Sequence, residues 1–178
     1  MKKIIMLILI FSLILPFGCD VSNNKPSIQP SKIETVLTGY VYDHSSKISR
    51  ETAGQIVKAA LKEKYPLLVL AIASAESEFV PTAVSPKGAT GLMQVMPNIH
   101  SATLIKAGII KEVRDLYSVN ENIKAGATIL DQCLKESKGD VSRGLSRYVS
   151  GHDGLNDSTY VRAIQSNLTT LYTLTAGL

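Results

Sequence analysis

The sequence has little of what a metal centre requires. Histidine occurs only three times in 178 residues, as His44, His100 and His152, and these positions are far apart. No Cys-x-x-Cys or His-Glu-x-x-His pattern is present, and such spacings are the common sources of metal ligands. We therefore expect no metal site, and no other cofactor is indicated.

A large excess of charge of one sign is also lacking. The 19 basic and 15 acidic residues give a net charge of +4, which falls to +2 if Lys2 and Lys3 are removed with the N-terminus. No basic stripe interleaved with aromatic residues is present, so a nucleic-acid partner is not expected. A chain of this length can build one domain with a real core, but is short for two.

The N-terminal apolar run is too short for a transmembrane helix. Residues 4–15 are apolar and follow Lys2 and Lys3, whereas a membrane-spanning helix needs about 20 such residues. A short apolar run behind positive charge is typical of a secretory leader. We predict a signal peptide over residues 1–18.

The residues around Cys19 resemble the lipobox of bacterial lipoproteins, in which this cysteine is acylated. Gly18 directly precedes Cys19, although Pro16 and Phe17 occupy the places of the usual leucine and small residue. We predict lipidation of Cys19, which would anchor the protein at a membrane of the cell envelope, on its periplasmic or outer side. The alternative is simple secretion with Cys19 free or bridged.

A polar segment follows the leader. It contains Pro26 and Pro30 and cannot bury enough apolar surface to order itself, so we assign residues 19–47 to a tether. Residues 34–44 within it could hold a short strand or pack on the domain, and they stay unassigned. The folded domain is predicted over residues 48–178.

Regular helical patterns begin at Ser49, a residue suited to an N-cap. The apolar residues that follow recur on one side of a helix; they are Ile56, Val57, Ala60 and Leu61. A later amphipathic helix carries Ile123, Ala127, Leu130 and Leu134 at the same spacing. Cys133 lies within it, and we interpret this cysteine as a small buried hydrophobe rather than a nucleophile or ligand.

The most informative stretch is an uncharged run that ends in two glutamates. Pro66 suits the first turn of a helix, and residues 67–75 are apolar all round, as expected for a central core helix. Glu76 would lie near its C-terminal end, where burial and the helix dipole raise the pKa of a carboxyl group. Glu78 must point elsewhere, because residues two apart on a helix diverge. Glu76 is therefore a candidate general acid.

A glycine-rich loop then follows, in which Gly88 and Gly91 permit turns and close approach to a ligand. Gln94 offers a donor and an acceptor for sugar hydroxyl or acetamido groups. Across residues 50–170 the chain resembles the soluble, goose-lysozyme-like lytic transglycosylases (the SLT family). The matching blocks are Glu76-Ser77, Gly91-Leu92-Met93-Gln94, Asn122-Ile123 with Gly126, Ile129-Leu130, Tyr148 with Gly151, and Tyr160-Val161 with Ile164.

The resemblance implies a monomeric, all-α, lysozyme-like single domain. It further implies a groove for peptidoglycan glycan strands, which are cleaved between N-acetylmuramic acid and N-acetylglucosamine to leave a 1,6-anhydro sugar. Glu76 would be catalytic, acting first as acid and then as base, and Tyr148 would lie close enough to hydrogen-bond Glu76 or the sugar. The substrate-binding residues carried over from the family are Ser77, Gly91, Leu92, Met93, Gln94, Tyr148 and Tyr160.

Structural roles remain open for several of these residues. Ser77 could brace the helix end instead of contacting substrate, and Met93 and Met96 could belong to the core or the groove wall. Tyr148 and Tyr160 could be core aromatics with a polar tip.

One departure from the family leaves two other functions open. Val149 stands where the family usually has asparagine. A muramidase that uses water would need a second carboxylate, such as Asp153 or Asp157. A non-catalytic peptidoglycan-binding or assembly protein would have a decayed site, against which intact Glu76 and Gln94 argue.

Overall fold

The computed structural model describes residues 31–151 and 158–178. Within these ranges the chain is helical, with only isolated β-bridges outside the helices, which confirms the predicted all-α class. The signal peptide, Cys19, Asp153 and Asp157 lie outside the described residues. The helices are α1 (Lys32–Asp43), α2 (Arg50–Ala60), α3 (Pro66–Ser77), α4 (Pro97–Lys106), a 3₁₀ helix (Val113–Tyr117), α5 (Val119–Glu136), α6 (Val141–Ser150) and α7 (Ser158–Thr175).

Short-range capping signals define where several helices begin. The Ser49 hydroxyl accepts a hydrogen bond of 3.1 Å from the backbone N–H of Thr52 at the start of α2. Pro66 occupies the first turn of α3, where its missing N–H costs nothing. Asp140 caps α6 through a 3.0 Å bond from the N–H of Arg143. The predicted starts of α2 and α3 are confirmed.

Helix α3 lies at the centre of the domain. It packs against α2, α5 and α7, and all six residues from 68 to 73 are buried. A helix without a polar face can be stable in water only when neighbours cover it on several sides. The prediction that the uncharged run forms a core helix is confirmed.

The predicted start of the domain at residue 48 is wrong. Helix α1 lies inside the segment assigned to a tether, and it packs against α2 and α7. Leu37, Tyr40 and Val41 are buried in the main core because their spacing places them on one face of a helix. Burying Leu37 and Val41 contributes about 1.5–3 kcal/mol each. The packed domain therefore includes α1.

Helix α5 confirms the spacing of Ile123, Leu130 and Leu134, which are buried. Cys133 is only half-buried, so the prediction that it is a buried hydrophobe holds in part. None of the helices within residues 31–151 and 158–178 is both long and apolar enough to cross a membrane.

Candidate active site

Glu76 lies in the last turn of α3, where the core helix reaches the surface. The helix ends at Ser77, and Glu78 and Phe79 both adopt left-handed backbone conformations, with φ of 50° and 61°. Phe79 is fully buried, whereas Glu78 is exposed. The buried phenylalanine fixes this sharp turn at the helix end. The two glutamates therefore differ as predicted, with Glu76 half-buried and Glu78 in water.

The carboxyl group of Glu76 has a neutral partner. The hydroxyl of Tyr160, near the start of α7, donates a 2.8 Å hydrogen bond to Oε1 of Glu76. Burial raises the pKa of Glu76 above its ordinary value, and the bond from Tyr160 opposes this increase only in part. Because α3 packs on α7, the same contact that buries Glu76 supplies its partner.

Three buried or half-buried side chains hold the loop that carries the Gly91–Gln94 block. The Ser77 hydroxyl donates to the carbonyl of Leu92 at 2.8 Å. The Tyr148 hydroxyl donates to the carbonyl of Met93, also at 2.8 Å. The third side chain is Asn122. Each bond satisfies a backbone group that would otherwise be costly to bury.

Asn122 makes the most connections of the three. Its Oδ1 accepts from the N–H of Met93 at 2.8 Å, and its Nδ2 donates to the carbonyls of Thr90 and Leu116 at 2.9 and 2.6 Å. The residue is 1% exposed, and it stands at the beginning of α5. Its place in a family block was visible in the sequence, but its part in holding the loop was not predicted.

Two glycines make this close packing possible. A Cβ atom at Gly91 would overlap the side chain of Asn122 and the carbonyl of Leu116, and Gly91 also has a φ of 79°. A Cβ at Gly126 on α5 would overlap the Met93 side chain. Glycine is thus required at both positions by space, and at Gly91 by conformation as well.

The side-chain amide of Gln94 already uses its N–H groups within the protein. Its Nε2 donates to the carbonyls of Ala83 and Gly91 at 3.2 and 2.9 Å, and its φ is 47°. An amide has two N–H donors, so both are engaged and the Oε1 acceptor is what remains for a ligand. The sequence-based expectation of a donor and an acceptor is thereby narrowed to an acceptor.

The other predicted binding residues divide into groups. Leu92 and Met93 are fully buried, so they support the loop from within and do not offer their side chains to a ligand. Ser77 is also buried and bonded at both the Leu92 and Ala73 carbonyls, which is the bracing role left open above. The expectation for Tyr148 was that it would bond Glu76 or the sugar; its hydroxyl instead bonds Met93, and Tyr160 is the partner of Glu76.

A groove of about 710 Å³ adjoins this site and is bordered by α4, α5 and α6. Burial and the nearby charge of Glu76 raise the pKa of Tyr148 well above its usual range, and Tyr148 also lines the groove. Tyr148 therefore lies in the groove wall and close enough to Glu76 to feel its charge. Further lining residues are Met96, Ile99, Glu136, Arg147 and Val149.

The groove wall also includes Val149 and Cys133. Val149 is 42% exposed and lines the groove, so it belongs to a surface that a ligand can reach. Half-buried Cys133 lines the groove as well. Within residues 31–151 and 158–178, no group of three or more His, Cys, Asp or Glu side chains is arranged to hold a metal ion.

Two known proteins are similar to this chain, one in sequence and one in fold. A transglycosylase of Enterobacteria phage PRD1 is 32% identical over 111 residues, which make up 60% of this chain and 38% of the phage protein. Lytic transglycosylase Slt from Pseudomonas aeruginosa, whose X-ray structure is of an inactive mutant with glutamate changed to glutamine, shares 24% identity and a TM-score of 0.59. The match covers 67% of this chain and 23% of that chain.

The structural match confirms the predicted lysozyme-like transglycosylase fold. This chain spans well under half the length of either relative. The family model of the transglycosylase SLT domain matches residues 55–164, which is more than half of the chain. The protein belongs to the transglycosylase SLT domain family.

Proposed function

We propose that this protein is a lytic transglycosylase that cleaves the β-1,4 bond between N-acetylmuramic acid and N-acetylglucosamine in peptidoglycan. The observation that carries the proposal is the environment of Glu76: a half-buried carboxyl group with a neutral hydroxyl partner and a raised pKa. Such a group keeps its proton to higher pH than an ordinary glutamate, as a general acid must. The inactive Pseudomonas mutant, a change of glutamate to glutamine, supports the importance of a glutamate in that relative.

The reaction needs only one carboxyl group. Glu76 donates its proton to the glycosidic oxygen as the bond to the anomeric carbon breaks, and the bonding electrons leave with that oxygen. The resulting carboxylate then takes the proton of the muramic acid's own 6-hydroxyl while the 6-oxygen attacks the anomeric carbon. The products are a free 4-hydroxyl and a 1,6-anhydro sugar. Glu76 ends protonated, and no water is consumed.

The surroundings of Glu76 fit this two-step role. Tyr160 favours the carboxylate through its hydrogen bond, so it keeps the base form accessible while burial keeps the acid form accessible. No second carboxyl group among the described residues contributes to the shift in the pKa of Glu76. Gln94, with Oε1 as its remaining acceptor, is suited to a sugar hydroxyl or acetamido N–H.

The product tests this proposal. Sacculi digested in oxygen-18 water should release muropeptides that end in unlabelled anhydromuramic acid, identified by mass spectrometry. Labelled reducing ends would instead indicate hydrolysis by a second carboxylate, for which Asp153 and Asp157 are the sequence candidates. Intact sacculi after prolonged incubation would indicate the non-catalytic alternative.

The place of action forms part of the same proposal. The predicted signal peptide and the predicted lipid at Cys19 would place the enzyme in the cell envelope, next to its substrate. Cys19→Ser should move the protein from the membrane fraction to the soluble envelope fraction and abolish the mass added by acyl chains. Unchanged partitioning without any acyl mass in the parent protein would indicate simple secretion.

A further inference from the structure

The groove contains a built ion pair that the proposed chemistry does not use. Arg147 on α6 contacts Glu136 at the end of α5, with 2.7 Å between Nη2 and Oε2. The other carboxylate oxygen, Oε1, accepts a 2.9 Å hydrogen bond from Nε2 of Gln132. Glu136 is thus fixed by its own helix and in turn holds the guanidinium of Arg147 in the groove wall. All three residues line the groove.

Building on the proposed function, we propose that Arg147 binds a carboxylate of the muramoyl residue, so that the groove selects acidic over neutral glycan. The Arg147 side chain is 24% exposed, and a guanidinium has five N–H donors in a planar fork that matches a carboxylate. The bond to Glu136 engages one of its nitrogens. The remaining edge can meet a ligand.

The ion pair between Arg147 and Glu136 adds little to the stability of the fold. Both partners still meet solvent, at 24% and 34% exposure, and such a pair contributes little to the free energy of unfolding. The apolar side chains of Ile99 and Val149 line the same groove, and a bound sugar would displace more water from it. Once a sugar has displaced this water, the charge of Arg147 interacts strongly with a bound ligand, because less solvent screens the interaction.

The glycan offers one chemistry that this cation can recognise. Its sugars are neutral apart from the lactyl group of muramic acid, which ends in a carboxyl group. That carboxyl is free in stripped strands, and in intact strands it joins a peptide that has carboxylates of its own. Lys87, an exposed groove residue with no ion pair among residues 31–151 and 158–178, adds to the positive potential.

Glu136 and a ligand carboxylate would share the same guanidinium. Removing the charge of Glu136 should therefore strengthen binding of an acidic ligand, whereas removing Arg147 should weaken it. A purely structural ion pair predicts no such opposition, since both changes would break the same contact. The opposite signs of the two effects distinguish a binding role from a structural one.

The experiment measures binding by NMR titration and does not depend on cleavage. The probes are a muramic acid-containing disaccharide with a free lactyl carboxylate, its methyl ester, and the same disaccharide carrying a short peptide. The variants are Arg147→Gln and Glu136→Gln, with Arg143→Gln as a control. Arg143 is exposed on the same helix and is absent from the groove wall. Thermal melting verifies that each variant is folded.

We expect Arg147→Gln to weaken binding of an acidic probe about 3- to 10-fold, with the ester unchanged within about twofold, as for a partly exposed charge-assisted bond. Glu136→Gln should strengthen binding of that probe, and Arg143→Gln should have no effect. A response confined to the free-acid disaccharide identifies the lactyl carboxylate, and one confined to the peptide-bearing probe identifies the peptide.

The proposal is overturned if the wild type binds neither acidic probe, the free-acid disaccharide or the peptide-bearing one, more tightly than the methyl ester, or binds none of the probes. It is also overturned if Arg147→Gln weakens both forms alike or if Glu136→Gln weakens the acid. A wild-type protein that prefers the acid but cleaves nothing would contradict the transglycosylase function and leave this binding site intact.

Discussion

Glu76 and Asp131 are two carboxyl groups with opposite environments. Each lies on a helix and accepts hydrogen bonds from side chains. Asp131 on α5 contacts the ammonium groups of Lys135 and Lys64 at 2.6 and 3.0 Å, and these bonds lower the pKa of Asp131. Glu76 contacts the neutral Tyr160, and burial raises the pKa of Glu76.

The difference shows that the partner's charge and the access of water decide the protonation state. An ammonium partner in contact with solvent favours the anion, and a hydroxyl partner in a half-buried site leaves desolvation dominant. Asp131 is thus a permanent charge on the surface, whereas Glu76 is a group whose proton can be exchanged. Only the second is useful for acid–base chemistry near neutral pH.

Neutralising Glu76 and Asp131 in turn should give the largest difference in activity. Glu76→Gln keeps size and removes the transferable proton, so we expect cleavage to fall by about 10²- to 10⁴-fold while the protein still unfolds cooperatively. Asp131→Asn and Glu78→Gln are the matched controls and should leave activity within about twofold, since both groups are solvated. Turnover of purified sacculi measures the effect. Residual activity of Glu76→Gln within tenfold of wild type would place the acid elsewhere.

Removing Tyr160, the neutral partner of Glu76, should increase the difference in pKa between Glu76 and Asp131. Tyr160→Phe deletes a bond that lowers the pKa of Glu76, so that pKa should rise and the loss of activity with increasing pH should occur at higher pH. The rate at its optimum should fall about 3- to 10-fold, in line with roughly 0.5–1.5 kcal/mol for one hydrogen bond. Tyr172→Phe, at a 59% exposed position on the same helix, is the control. A shift of the alkaline limb to lower pH would contradict this role.

Stability should respond to pH with opposite signs at the two sites. The folded-state pKa of Glu76 is raised, so its contribution is present below the unfolded pKa and is lost as pH rises through the folded pKa. Relative to wild type, Glu76→Gln should therefore gain melting temperature as pH rises from the unfolded pKa of a glutamate through the raised folded pKa of Glu76. Asp131 has a lowered folded pKa, and its contribution is lost as pH falls through that value.

Asp131→Asn should consequently be slightly less stable than wild type at neutral pH, with the deficit disappearing in acid. High salt should reduce this deficit because the ammonium groups of Lys64 and Lys135, the partners of Asp131, are exposed to solvent. Melting curves at several pH values, with and without added salt, provide the measurement. Parallel curves for the two variants would show that the environments of Glu76 and Asp131 do not differ in the folded protein.

The smallest effect is expected in the groove wall. Val149→Asn restores the residue typical of the family at an exposed position, so stability should be unchanged and activity unchanged or raised a few-fold, through roughly 0.5–1.5 kcal/mol per new hydrogen bond. The pH profile should stay the same because Val149 is not a partner of Glu76. Tyr148→Phe, which removes the bond to Met93, should lower activity. A large loss of stability in Val149→Asn would contradict its exposure.

Local features of the sequence predicted much of this fold. Apolar spacing and the N-cap at Ser49 involve residues within one or two turns, so they can be recognised without knowledge of the tertiary structure. The same holds for Glu76, whose burial follows from the uncharged run before it. Helix α1 was not predicted, because the residues of its buried face, Leu37 to Val41, follow a polar segment that contains prolines.

The partners within the site could not be predicted in the same way. Tyr148 was the predicted partner of Glu76, whereas Tyr160 holds that place in the structure, and the choice depends on how α6 and α7 pack on α3. The role of Asn122 likewise depends on a loop that lies 29 to 32 residues before it in the chain. Sequence patterns identify such residues as important, but only the packed structure shows which atoms they meet.

The long separations have a consequence for the order of folding. The bond from Tyr160 to Glu76 joins residues 84 apart in sequence, and the bond from Tyr148 to Met93 joins residues 55 apart. Contacts of this kind carry a loop-closure cost that local contacts do not, so we expect them to form after the helices between them. A nascent or partly unfolded chain therefore has all the side chains of the site, but an ordinary carboxyl at Glu76 and no ordered loop at Gln94. The ability to cut would arise in the last stage of folding, when α7 docks on α3.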